Sequence, residues 1–219
     1  MDTKGLARFA PLMGVLAVIL WIIGVILAAS DSPGDKAPGA EIAANFDEHG
    51  TKILLAVTFF GVGSSAFIWF LGSLTSRLRA DLGDNRLASI VLASGTAAAT
   101  AFTCVLAPGA AGALASDNRD RTLSPAAAEA LEVLGDGFFV VAEFIAVAFV
   151  GAAALAILRG RTFPTWFGWL TALVAVVLVI GPIGWAALIF GIPIWTVVVS
   201  IWLFTKQSQG ASVTPAAPG

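Results

Sequence analysis

The chain has 219 residues, of which 58% belong to the hydrophobic set and only 12% are charged. Soluble domains carry roughly 25% charged residues, so this composition excludes a soluble fold that must cover its apolar surface with polar groups. The formal net charge of −2, with no long basic run, points away from a nucleic-acid partner and from a polybasic lipid-binding tail.

Uncharged runs extend over 10–30, 53–76, 87–116 and 162–205. Crossing about 30 Å of hydrocarbon takes roughly 20 residues of helix. The first three runs therefore hold one helix each. The fourth is about twice that length and contains Gly181-Pro182-Ile183-Gly184, so it divides into two helices at a tight turn. A further apolar stretch, 137–158, carries one charge, Glu143. Backbone groups in lipid must be satisfied within their own segment, which selects helices over isolated strands. The predicted fold is all-α, a polytopic transmembrane bundle with helices over 10–29, 53–76, 87–107, 137–158, 164–181 and 184–205. Residues 207–219, rich in Ser, Ala, Pro and Gly, are expected to form a disordered cytoplasmic tail.

The first segment has a rival reading as a signal peptide, with Lys4 and Arg8 ahead of it and Ala28-Ala29-Ser30 as a small-residue cleavage site. Its apolar core is longer than the about 7–15 residues of a signal h-region, so a retained helix is preferred. With the N-terminus inside, Lys4, Arg8, Arg77, Arg79, Arg86, Arg159, Arg161 and Lys206 fall on the inner side. Lys36, Lys52, Arg119 and Arg121 fall outside, a division of the 12 basic residues into eight and four. The positive-inside rule favours this orientation, with both termini in the cytoplasm.

Between the segments, Asp31-Ser32-Pro33-Gly34 and Pro38-Gly39 are turn signals, and a short helix is expected from Ala40 to His49. Pro108-Gly109 is read as the stop of the third helix. Ser124-Pro125 is read as an N-cap and first helical proline, opening an outer helix that runs into the fourth span, with a break at Gly135 or Gly137. Pro193 is expected to bend the sixth helix. Trp21 and Trp195 fall near mid-helix and call for packing partners, whereas Trp166, Trp169 and Trp202 sit at the expected inner interface. Small residues recur every fourth position at Ala93, Ala97 and Ala101, and at Ala142, Ala146, Val150 and Ala154, a pattern that lets helices approach closely.

The candidate chemistry centres on Glu143. A charge deep in a span costs roughly 2.5–3.5 kcal/mol, and such a residue usually faces the bundle interior. Glu129, Glu132, Asp136 and Glu143 are spaced i, i+3, i+7 and i+14 and share a sector of about 60° on a continuous helix. One reading is a cation or proton path into the membrane. The preferred one is a set of acids at the mouth plus a protonated or hydrogen-bonded Glu143 that fixes packing, with Ser64, Ser65, Ser94, Thr96 and Thr100 as candidate partners. Asp47, Glu48 and His49 form a weaker candidate metal cluster. Neighbours on a helix diverge, so it would need help from Glu129, Glu132 or Asp136.

No cofactor is expected. His49 is the single histidine, which excludes paired-histidine haem ligation, and no phosphate-binding glycine loop with its lysine occurs. Leu92-Ala93-Ser94-Gly95 lacks the first glycine of the Gly-x-Ser-Gly nucleophile of rhomboid proteases, and no late histidine offers a base. An enzyme is not expected.

Arg159-Gly160-Arg161-Thr162-Phe163-Pro164-Thr165-Trp166-Phe167-Gly168-Trp169-Leu170 combines a basic inner loop, a helix-opening proline and a Trp-Gly-Trp-like helix start. In this motif and in helix layout the chain resembles a group of small uncharacterised six-helix bacterial membrane proteins, frequent in high-GC actinobacteria. That resemblance implies a bacterial plasma-membrane protein and brings no activity or catalytic residue. The expected role is a scaffold or regulator of a membrane partner. The alternative is a small proton- or cation-coupled transporter or channel using Glu143. Expected partners are the lipid bilayer and either another membrane protein or further copies of the chain.

Overall fold

A computed structural model describes residues 9–34, 36–83, 85–119 and 123–211. The described residues are almost entirely helical. A 3-10 turn, Ala10–Leu12, leads into α1 (Met13–Ala29). There follow α2 (Gly39–Glu48), α3 (Gly50–Leu82), α4 (Asn85–Cys104), α5 (Ala107–Arg119) and α6 (Pro125–Arg159). The chain ends with α7 (Thr165–Val179), the short α8 (Gly181–Ala186), a π-turn over Ala187–Gly191, and α9 (Ile192–Ala211).

Five helical stretches are long and apolar enough to cross a membrane: Ala10–Ala29, Gly50–Leu82, Asn85–Asp117, Pro125–Arg159 and Ile183–Lys206. The remaining apolar helix, Thr165–Val179, has 15 residues. Large apolar side chains cover the outside of these helices, among them Ile22, Trp69, Phe144, Leu173 and Ile194, each about half exposed or more. Such a surface is stable against hydrocarbon and not against water.

Local sequence explains most boundaries. Ser124 accepts a hydrogen bond from the Ala127 N–H (3.3 Å) while Pro125 takes the first helical position, so α6 starts where expected. It then runs without a break past Gly135 and Gly137. Gly83, at φ 65°, closes α3 in the left-handed conformation, its N–H bonded to the Arg79 carbonyl. The Pro108-Gly109 stop is corrected. The helix breaks earlier, at Val105-Leu106, where i→i+3 bonds to Phe102 and Thr103 tighten the last turn. It resumes as α5, because Pro108 sits in a first turn where its missing N–H is no loss. Pro193 likewise has no N–H for the Ile189 carbonyl four residues back, and there the chain widens into the π-turn. The last helix continues to Ala211, into the stretch read as tail, and 212–219 lie outside the described residues.

The helices close around one apolar core. α1 packs along α3 and against α9, α3 against α4, α4 against α6, and α6 against α7. Phe67, Phe70, Leu71, Leu74, Phe149 and Val199 fill the centre. Ala142, Ala146, Val150 and Ala154 are buried as their spacing implied. Ala93 and Ala97 are exposed, and α4 makes its close approach at Gly95 instead. A Cβ there would lie 2.8 Å from Leu71 and 2.9 Å from Phe149.

Both mid-helix tryptophans have partners. Trp21 Nε1 donates to Ser64 Oγ (3.1 Å), which also receives Thr103 Oγ1 (2.7 Å), and Trp195 Nε1 donates to Thr171 Oγ1 (3.0 Å). At one end of the bundle the rings of Phe9 and Phe204 stack at 6.1 Å, and Trp202 Nε1 donates to the Thr162 carbonyl (3.0 Å). At the opposite end α2 packs through Ile42, Ala43 and Phe46 onto Ala128 of α6.

Candidate functional site

Glu143 lies on α6 and is 8% exposed. Its Oε1 makes no hydrogen bond among the described residues. The carboxyl rests against the backbone of Gly184 in α8, where a Cβ would collide with Oε1 and would stand 2.9 Å from the Leu178 carbonyl oxygen. The glycine at 184 is what makes room for the acid. The break between α7 and α8 also supplies chemistry. In a continued helix the Leu178 carbonyl would receive the N–H of residue 182, but that residue is proline and has none. Glu143 therefore lies beside a backbone carbonyl whose i+4 position offers no N–H donor.

The hydroxyls nominated as partners do not reach Glu143. Ser64 serves Trp21 and Thr103, Ser65 bonds the Gly61 carbonyl, Ser94 the Ile90 carbonyl, and Thr100 the Thr96 carbonyl. Hydroxyls on helices satisfy themselves on the preceding turn in this way, and the acid packs against the backbone of Gly184 instead.

The other acids of the stripe divide by depth. Glu129 Oε1 accepts the N–H of Gly39 (3.0 Å), the first residue of α2, so it caps that helix from α6. Glu132 and Asp136 line a cavity of about 220 Å³ at the end of the bundle where α2 packs. Below it an apolar crevice of about 600 Å³ opens between α1 and the last helix. Glu143 lines neither of the two. The acids share one helix face, yet the cavity they border stops short of the deepest one.

The Asp47-Glu48-His49 cluster does not assemble. Asp47 and Glu48 are exposed at the end of α2, and His49 turns toward Asp31, with Nε2 3.8 Å from Oδ2. Among the described residues no three His, Cys, Asp or Glu side chains converge as metal ligands. Asp31 bonds Lys52, and that hydrogen bond holds its carboxyl below the usual carboxylate range.

At the end of the bundle that holds Phe204, one acid missed in the sequence does structural work. Asp81, in the charged last turn of α3 beyond its apolar stretch, accepts the backbone N–H groups of Arg161 (2.6 Å) and Thr162 (2.8 Å) through Oδ2. Partial burial opposes its ionisation, but these two donors and the nearby Arg77 charge outweigh it and lower its pKa. The spacing of Asp81 from Arg161 offers no local signal. Only the conformation of the Gly160–Pro164 loop aims two amides at one oxygen.

The architecture and the site together define a multi-pass α-helical membrane protein in contact with the lipid bilayer. Comparison with family models, with curated proteins and with solved structures found no match to this chain.

Proposed function

We propose that the chain is a six-crossing protein of the bacterial plasma membrane, with both ends in the cytoplasm, that acts without catalysis as a scaffold or regulator of a membrane partner. The stacking of Phe9 on Phe204 brings the two ends of the described chain to one end of the bundle, which supports an even number of crossings. Thr165–Val179 then supplies the sixth, spanning about 22 Å. The eight-to-four basic asymmetry supports that end being inside.

The observation that carries the non-transport reading is the seat of Glu143. Its carboxyl is packed on Gly184, the interior around it is filled with apolar side chains, and the outer cavity ends above it. A residue placed so ties α6 to the α7–α8 break, and neither the cavity at Glu132 and Asp136 nor the apolar crevice is lined by it. Glu143→Gln keeps both shape and a hydrogen-bond donor. In proteoliposomes carrying a pH gradient, wild type and this variant are expected to show equal, background proton flux and to unfold within about 1 kcal/mol of each other. A wild-type flux that Glu143→Gln abolishes would establish the transport reading instead.

A further inference from the structure

We propose that the Gly160–Pro164 loop and the start of α7 bind an anionic phospholipid, its head group at Arg159 and Arg161 and its hydrocarbon along the exposed face of α7. The loop gathers positive side chains from several helices. Asp81 of α3 fixes it through the N–H groups of Arg161 and Thr162, and Arg77, one turn earlier on α3, stands near enough for its charge to act on that carboxyl. Trp202 of α9 holds the loop as well, its Nε1 donating to the Thr162 carbonyl (3.0 Å), and Lys206 lies over the Trp202 ring at 5.7 Å. Arg159, which ends α6, and Arg161 are both exposed.

Little negative charge answers these cations. Asp81 is the one described acid at this end of the bundle, and its Oδ2 is already committed to two amides. Among the described residues neither Arg159 nor Arg161 pairs with an acid, and the ion pairs there join Asp31 to His49 and Lys52 at the opposite end. An open guanidinium matches the oxygens of a phosphate diester, which it grips through two N–H groups at once. An apolar stripe leading away from the loop makes the occupant a lipid and not a free phosphate. Trp166, Trp169, Leu173 and Val176 follow at i, i+3, i+7 and i+10 along α7 and are all exposed. From Trp166 to Val176 the stripe spans about 15 Å, the depth of one leaflet's hydrocarbon. Its two indoles lie at the loop end, where the polar and apolar layers of a bilayer meet. The seat of the chains rests on α7 lying in the bilayer, as the six-crossing reading has it, whereas the head-group contacts do not use that reading.

The test titrates dioleoyl phosphatidylglycerol and dioleoyl phosphatidylcholine, which share chains and phosphate and differ in net charge, onto the full-length protein in micelles of a neutral detergent. Bound lipid is counted by native mass spectrometry. Phosphatidylglycerol is expected to bind at least about tenfold more tightly. Arg159→Gln with Arg161→Gln should remove that preference and leave phosphatidylcholine binding unchanged, since both side chains are exposed and the Arg161 N–H to Asp81 is kept. Lys36→Gln with Arg79→Gln removes the same charge at the α1–α2 connection and on a different face of α3, and should leave the preference intact. Leu173→Gln should weaken both lipids alike, and unchanged affinity for both would remove α7 as the seat of the chains. Equal binding of the two lipids, a preference that survives the paired arginine change, or one lost equally in the charge-matched control would overturn the head-group assignment. So would displacement of the lipid by an equal concentration of glycerol phosphate, which would make a soluble phosphate the ligand.

Discussion

Gly184→Leu is expected to prevent stable assembly of the bundle, and Gly184→Ala to cost about 1–3 kcal/mol. The cost arises because the position of a Cβ at residue 184 is already occupied by Glu143 Oε1, with the Leu178 carbonyl close behind. The carboxyl would have to swing away about its own side-chain torsions, and the backbone carbonyl cannot withdraw. The carboxyl is buried on a long helix, and the carbonyl belongs to the fixed end of α7. Shortening the acid should relieve the clash, so Glu143→Ala with Gly184→Ala should be more stable than the sum of the single changes predicts, by about 1–3 kcal/mol. Denaturant unfolding in micelles of the four proteins measures this coupling. Additive costs would show that the two residues do not meet.

The second large effect is expected where Asp81 holds the Gly160–Pro164 loop. Asp81→Ala leaves the N–H groups of Arg161 and Thr162 without their acceptor, an expected loss of about 2 kcal/mol after allowance for partial exposure. Asp81→Asn retains one oxygen and should lose about half as much. A pH dependence follows from the lowered pKa of Asp81. A depressed carboxylate adds stability that is fully present above its unfolded value, about 3.9, and is lost as pH falls through the folded value. Wild type should therefore weaken below about pH 4, and Asp81→Asn should lack this component of the decline. Unfolding midpoints measured from neutral pH down to pH 3 give the comparison, and parallel curves for the two proteins would contradict it.

The membrane character was legible in the sequence because hydrocarbon imposes a length and a composition on every span, and both are properties of contiguous residues. The opening of α6 at Ser124-Pro125 and the break at Gly181 were legible for a similar reason, since caps and prolines act on the backbone within one turn. Glu143 was singled out correctly as the buried acid, but its neighbour was not. A search for hydroxyl partners overlooks that Ser65, Ser94 and Thr100 are satisfied on their own helices. What lies beside the acid is a glycine and a backbone carbonyl, which carry no polar side chain to notice. The signal available was Pro182, which has no N–H to offer the Leu178 carbonyl and marks the break at which Gly184 meets the acid. His49 illustrates the opposite error. Adjacency to Asp47 and Glu48 hinted at a cluster, whereas the end of α2 points the imidazole at Asp31. The cavity at Glu132 and Asp136 and the apolar crevice were not legible, because their walls come from several separate helices and meet only when the bundle is closed.

The central claim is that Thr165–Val179 crosses the membrane and that both chain ends lie inside. It is tested most directly by labelling single cysteines with a membrane-impermeant maleimide in intact and permeabilised cells. With Cys104 replaced by alanine, cysteine at Lys36 should label in intact cells, while cysteine at Thr162 and at Thr205 should label only after permeabilisation. Labelling of Thr162→Cys and Thr205→Cys on opposite sides of the membrane would contradict the six-crossing account.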